Sequence, residues 1–497
     1  MAIRDYNFGD YSGLREYRRN RSYFLNSFIS PQGFRLSDLR NDRNYILVGR
    51  KGTGKSTCCL AHSADKRNDG YTCTFFNFSD DLNSTDLRDA VRTQHLSFNV
   101  EFISKLQESI SEMYDFRDLW KRKVLITIAK DLLEKKQSSR FTDVASQIYL
   151  PDESISDGVL KGLRINVAKF AELLPEGWGG PTGEKGEVEL RKYNKVLLGL
   201  LATFHSDLKF YYFFDELNIS HTKSNSDEYE TLIALVRDIV RSTSELNDFF
   251  VENGLDCHII CCLRPEVRNE VLARDNELSK VIDSNFVSLS WPVRANAENP
   301  LMDLLRSKIK HGKPEDSLED IVIPEEVFSV AEKKQIPFPS YFLNLTWYRP
   351  RDVVRVLKCY QVTNGSKNVL FGPNDSHFEF LKEYSRVSFT DNVAELEVKY
   401  SRAIIKEAFN RVKRYRYENV DDFKDDISII SNRVHLEEFI VDLFDNGFIY
   451  NFIRSDEGVE LAASYRDDHA LRDDLPLFIH RGIQPYLGLG LRYSPQF

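Results

Sequence analysis

Apolar residues in this chain follow two habits: short unbroken runs, and longer stretches in which they recur every three to four positions. The unbroken runs are Tyr45 to Val48, Tyr71 to Phe78, Phe210 to Phe214, Cys257 to Leu263 and Phe286 to Trp291. Such runs suit strands buried on both faces, and the longer helical stretches between them suit crossovers. The pattern predicts an α/β fold with a doubly wound parallel sheet, whose ligands sit at the carboxyl ends of the strands.

Helical periodicity fills the rest. Residues 79–209, between the second and third runs, are far longer than a crossover needs and read as a helical insertion over about 80–205. Its helices are expected at Phe102 to Met113, Leu119 to Leu133, Val159 to Leu174 and Val188 to Phe204, around a turn-rich stretch at 174–186. Beyond Trp291, helices are expected at Asn299 to Lys310, Pro324 to Lys333 and Arg351 to Tyr360, then at Asp391 to Arg411, Phe423 to Ser431 and Leu436 to Asn446. Asp445, Asn446 and Gly447 followed by an aromatic strand suit a third helix closing into a β-wing. The predicted organisation is an N-terminal helical extension (1–44), a parallel-sheet core with the insertion (45–295), a helical lid (296–362), a linker (363–390) and a winged-helix-like domain (391–497).

The first run leads into Gly49, Arg50, Lys51, Gly52, Thr53, Gly54, Lys55 and Ser56, a complete G-x-x-x-x-G-K-S/T phosphate loop. Its glycines let backbone N–H groups curl around phosphates at a helix N-terminus, which Thr57 continues. Lys55 is placed to reach the outer phosphates and Ser56 a magnesium ion. A strand in front argues against a mere glycine-rich turn. The third run ends in Asp215 and Glu216, a metal-holding carboxylate beside one that polarises water, although an acidic helix cap gives the same letters. The pair favours hydrolysis of ATP with Mg2+, and no guanine-reading Asn-Lys-x-Asp motif occurs. Arg264 follows the fourth run at the same sheet edge, as a phosphate sensor or a strand-end cap. Arg349 and Arg351 open a helix, either to swing onto the phosphates or to pair with Asp352.

Composition narrows the setting. The 497 residues are 42% hydrophobic and 12% aromatic, which excludes a disordered chain and allows more than one core. A net charge of -9 opposes a nonspecific nucleic-acid coat. Two basic stretches remain as local candidates, Arg15, Arg18, Arg19 and Arg21, and Arg411, Lys413, Arg414 and Arg416, against the alternative of solvated helix faces. Seven cysteines, none with zinc spacing, suit reduced core thiols. No signal-like stretch and no membrane-length apolar run is present, so the expected location is the cytoplasm, with no membrane partner.

Phe8 and Gly9, the loop from Gly49 to Ser56, Phe214 to Glu216, Leu263 to Glu266, Arg349 to Asp352, and Ile479 to Gly482 occur in an order that resembles the P-loop ATPases of bacterial conflict and antiphage systems, on the STAND/KAP-like side of the AAA+ class. The resemblance implies an ATP-driven switch with a lid and winged-helix module, assembling as a homo-oligomer through nucleotide-bridged subunits. The chain departs from that pattern in having no recognisable nuclease, protease or TIR domain and no sensor repeats, which implies a separate effector protein or an activity that lies elsewhere. Two other readings stand beside it: a DNA-binding AAA+ initiator or partition ATPase, and a scaffold whose nucleotide is structural.

Overall fold

The computed structural model describes residues 2–77, 115–148, 190–204, 208–217, 226–315, 320–329, 334–372, 377–397, 399–455, 458–462 and 470–489. The expected helices at 102–113 and 159–174 and the turn-rich stretch at 174–186 lie outside them.

The α/β expectation holds. Strands β1 (Ile46–Val48), β2 (Thr72–Asn77), β3 (Phe210–Asp215), β4 (Cys257–Leu263) and β5 (Phe286–Ser288) form one all-parallel sheet in the order β2-β3-β4-β1-β5. β3 and β4 are buried at every position, as a parallel sheet covered on both faces requires. Alternation along β3 sorts its rings between the two faces. Tyr211 and Phe213 meet His62 on the helix Lys55–Asn68, with ring centroids 4.9 and 6.4 Å away. On the other face Tyr212 donates to Asp131 at 2.9 Å, and Phe214 meets Trp120 edge-on at 5.8 Å.

Asp131 and Trp120 belong to the helix Arg117–Glu134, inside the predicted insertion. With Leu190–Ala202 and the long helix Ser226–Glu252 it joins the main core, Trp120 Nε1 donating to the Leu235 carbonyl at 3.1 Å. The described part of the insertion is therefore a cover for one sheet face, which the strands could not do without.

A second core gathers the helices Pro300–Gly312, Phe338–Leu343 and Pro350–Asn364 around Phe371, and includes Ile3, Tyr6 and Phe8 from the start of the chain. Two expectations here need correction. The described part of the helix expected at 324–333, residues 324–329, is not helical: β6 (Glu326–Ser329) pairs antiparallel with β7 (Lys334–Pro337), burying Val327 opposite Ile336 and leaving Phe328 exposed, a strand's alternation. A helix His377–Leu396 occupies the second half of the stretch read as a linker, and it ends before a second helix, Arg402–Arg411, begins. The single helix expected over 391–411 is thus two, broken at 397–401.

The third core contains Arg402–Arg411, Val420–Ile427 and Leu436–Asp445. A four-stranded antiparallel sheet completes it, made of β8 (Arg416–Tyr417), β9 (Ile449–Ser455), β10 (Gly458–Ala462) and β11 (Leu477–Ile479) in the order β10-β9-β11-β8. The Trp347 indole donates to the Gly447 carbonyl at 2.8 Å and stacks on His480 at 4.0 Å, joining this unit to the second core.

Candidate functional site at the carboxyl edge of the sheet

β1 delivers the phosphate loop to the edge where β3 and β4 also end. Gly49 N–H donates to the Leu263 carbonyl at 3.1 Å and Leu289 N–H to the Val48 carbonyl at 2.7 Å, so the loop leaves a strand held on both sides. Gly52 and Gly54 adopt left-handed backbone (φ 85° and 101°), and Gly54 caps the helix that Lys55 begins. A Cβ on Gly52 would stand 3.2 Å from Arg351 Cβ. The loop's spacing is thus matched to its own turn and to a neighbour far away in sequence.

The loop is tied down by its carbonyls. Trp291 Nε1 donates to the Thr53 carbonyl at 2.9 Å, Arg351 N–H to the Gly52 carbonyl at 3.3 Å, and Arg349 to the Lys51 carbonyl at 2.8 Å. With those carbonyls occupied from behind, the loop's backbone keeps a fixed curl. Lys55 turns its amine onto the Gly49 and Arg50 carbonyls, at 2.5 and 3.2 Å. Burial pulls its pKa down from 10.5 to about 8, with the Arg264 charge adding to the effect.

A cavity of about 400 Å3 opens over the loop, within the usual range for small-ligand clefts. Lys51 to Thr57, Asp215, Glu216, Arg264 and Arg351 all line it. Because β4 lies between β1 and β3, the Asp215 strand is about 10 Å to the side of the loop strand, which leaves room for an ion and water. Asp215 is buried and accepts the Glu216 N–H at 2.8 Å; Glu216 has a left-handed φ of 54° and an exposed side chain. A non-glycine residue held there costs about 1–2 kcal/mol, and such conformations gather at functional sites. Arg264 follows β4 and caps the helix Pro265–Arg274, 3.7 Å from Glu266.

The two later arginines separate. Arg349 is buried behind the loop, bonded to Glu395 (2.8 Å) and Asn392 (3.2 Å), and does not line the cavity. Its place is that of a positioning residue for the loop. Arg351 does line the cavity, with one ion pair at 3.4 Å to Asp391. No family model matches this chain, and no curated protein matches it. The site must therefore be judged on its geometry.

Several contributors were not anticipated. The far wall is the N-terminal segment from Asp10 to Arg18 with Phe24, Ser27 and Phe28, where a buried Glu16–Lys308 pair fixes the turn and Asp10 N–H donates to Glu16 at 2.8 Å. Trp291, directly after the fifth apolar run, was visible as a residue but not as a loop anchor. Asp391, Asn392 and Glu395 carried no sequence signal.

The basic stretches stay at the surface. Arg19 pairs with Asp10 at 3.0 Å and Arg21 lies over the Tyr17 ring. Arg414 faces Asp422 and Asp426 at 4.0 and 3.8 Å, Arg416 pairs with Glu418 at 3.2 Å, and Arg411 and Lys413 are exposed. All seven cysteines are buried free thiols.

Proposed function

We propose that this chain binds ATP with Mg2+ at the carboxyl edge of its parallel sheet, hydrolyses it, and uses the bound state to control assembly with itself and a separate effector, as the antiphage ATPases it resembles imply. The observation that carries the reading is the convergence of four distant segments on one cavity: Lys51 to Thr57, Asp215 with Glu216, Arg264, and Arg351. In an unrelated glycine turn or helix cap these groups would have no reason to meet.

Backbone N–H groups of the loop and the amine of Lys55 bind the phosphates, Lys55 exchanging its loop carbonyls for phosphate oxygens. Ser56 and Asp215 offer hard oxygen donors that fit magnesium, which neutralises charge on the phosphates when bound. Glu216 accepts a hydrogen bond from the attacking water and orients it at the γ-phosphorus. Arg264 and Arg351 face charge that builds on the phosphoryl oxygens, and ADP and phosphate leave.

Among the described residues no helix is long and apolar enough to cross a membrane. The order of three helices and the β9–β10 hairpin supports a winged-helix-like module. Its third helix, Leu436–Asp445, carries Glu437, Glu438, Asp442 and Asp445 and no basic residue. Phosphates would repel such a helix in a major groove, so the module suits a protein partner better than the DNA-binding alternative.

The test is to purify the chain with ATP, ADP or neither and measure its mass and what accompanies it. The reading expects a Glu216→Gln variant to keep ATP bound and to hold the larger assembly. A variant that turns ATP over at the wild-type rate would refute the role given to Glu216.

A further inference from the structure

The helix His377–Leu396 grips the phosphate loop at Lys51 in two ways. Asp391 accepts the Lys51 amine at 2.6 Å, and the Asp391 carbonyl lies 3.1 Å from the same amine. One turn on, Glu395 and Asn392 hold Arg349, whose guanidinium also donates to the Lys51 carbonyl. Asp391 further meets Arg355 at 2.6 Å and Arg351 at 3.4 Å. One carboxylate thus serves three cations, two of which line the nucleotide cavity.

The charges around it do not balance. Asp352 takes Arg355 at 2.8 Å and is 3.7 Å from Arg349, which Glu395 already neutralises. Lys51, Arg351 and Arg355 are then left with Asp391 and a shared Asp352. Burial alone would raise the Asp391 pKa, yet Arg355, Arg351 and Lys51 hold it well below the usual carboxylate range. Among the described residues the ion pairs here set four cations, Lys51, Arg349, Arg351 and Arg355, against three carboxylates, Asp352, Asp391 and Glu395, and a triphosphate in the cavity would add negative charge beside Lys51 and Arg351.

We propose that Asp391 is a positioning residue that stands in for phosphate: it holds Lys51 and Arg351 where they line the cavity, and an entering triphosphate takes these cations from it. The inference rests on the nucleotide-binding reading above. Release of Asp391 loosens the helix His377–Leu396 from the loop. That helix also supplies Phe389, Val393 and Leu396 to the third core, so the exchange is felt in the C-terminal unit. Arg355 keeps Asp352 and remains neutralised. The device needs no movement of the sheet.

The experiment compares the full chain with Asp391→Asn and Asp391→Glu, titrating each with Mg2+ and a non-hydrolysable ATP analogue or ADP. Asparagine preserves the shape but not the charge, so the analogue should bind about fivefold tighter or more, because the competing latch is gone. Glutamate should restore wild-type affinity. Hydrogen exchange on the wild-type chain should show residues 377–396 losing protection when the analogue is added. Unchanged or weaker binding by a folded Asp391→Asn variant overturns the proposal. If that variant does not fold, unchanged protection of 377–396 in the wild-type chain overturns it equally. A wild-type chain that binds neither nucleotide removes the nucleotide reading and this one together, whereas normal binding without tightening removes only this one.

Discussion

Replacing Lys55 by methionine should make the empty protein more stable and the nucleotide-loaded protein less so. The amine sits beside Arg264 and is half-buried, and its pKa falls from 10.5 to about 8. A folded pKa below the unfolded value means that the unfolded chain binds the extra proton, so stability rises with pH from about 8 to 10.5 and the charged lysine is penalised at pH 7. At 1.36 kcal/mol per unit the penalty is at most about 3 kcal/mol, and cavity water screens it to about 1–2 kcal/mol. Methionine keeps the length and removes the charge. In a thermal melt at pH 7 the empty Lys55→Met variant should gain a few degrees, at about 2–4 °C per kcal/mol for a unit of this size. Wild-type protein with Mg2+ and ATP at a hundred times Kd should gain about 2.7 kcal/mol, and the variant should gain none. A variant that melts lower when empty, or that responds to ATP like wild type, would refute the reasoning.

Gly52→Ala places a Cβ on left-handed backbone 3.2 Å from Arg351 Cβ, so it should cost about 1–2 kcal/mol and abolish nucleotide binding; melts and binding isotherms check both. Acid should destabilise the fold below pH 6.5. Burial, then Lys66 and His258, pull the His62 pKa to about 4, and burial, then Arg349, pull that of His480 to about 3. The unfolded chain takes up these protons first, so each histidine costs about 1.4 kcal/mol per pH unit as pH falls from 6.5 towards its folded value. Both ring nitrogens of His62 are buried without a hydrogen-bond partner among the described residues, so His62→Leu should be neutral or stabilising at pH 7 and should flatten the acid slope measured by urea unfolding. An unaltered slope would show that His62 is not the titrating group. Arg349→Ala strips the Lys51 carbonyl of its donor and leaves Glu395 buried without its 2.8 Å partner, a change expected to cost about 3–5 kcal/mol in urea unfolding.

The strands that build the site were readable because buried parallel strands keep apolar residues at every position: β3 and β4 match their runs almost residue for residue. The fifth run is longer than its strand, since Leu289 to Trp291 leave the sheet so that the Trp291 indole can reach Thr53. The helix His377–Leu396 escaped notice because its buried positions include Ser385, Ser388, Asn392 and Glu395, which break the apolar stripe that betrays a helix. The hairpin at 326–337 was masked by charged residues around Val327. For the site, the loop, Asp215, Glu216 and Arg264 followed from strand ends and motif spacing. Choosing between Arg349 and Arg351 did not, because only Arg351 lines the cavity, a difference fixed by partners forty or more residues away.

Hydrolysis at this edge of the sheet is measured by phosphate release from ATP with the purified full chain. Release should require Mg2+, and both Lys55→Met and Glu216→Gln should abolish it. Release that persists in both variants, or wild-type protein that neither binds nor cleaves ATP, would contradict it.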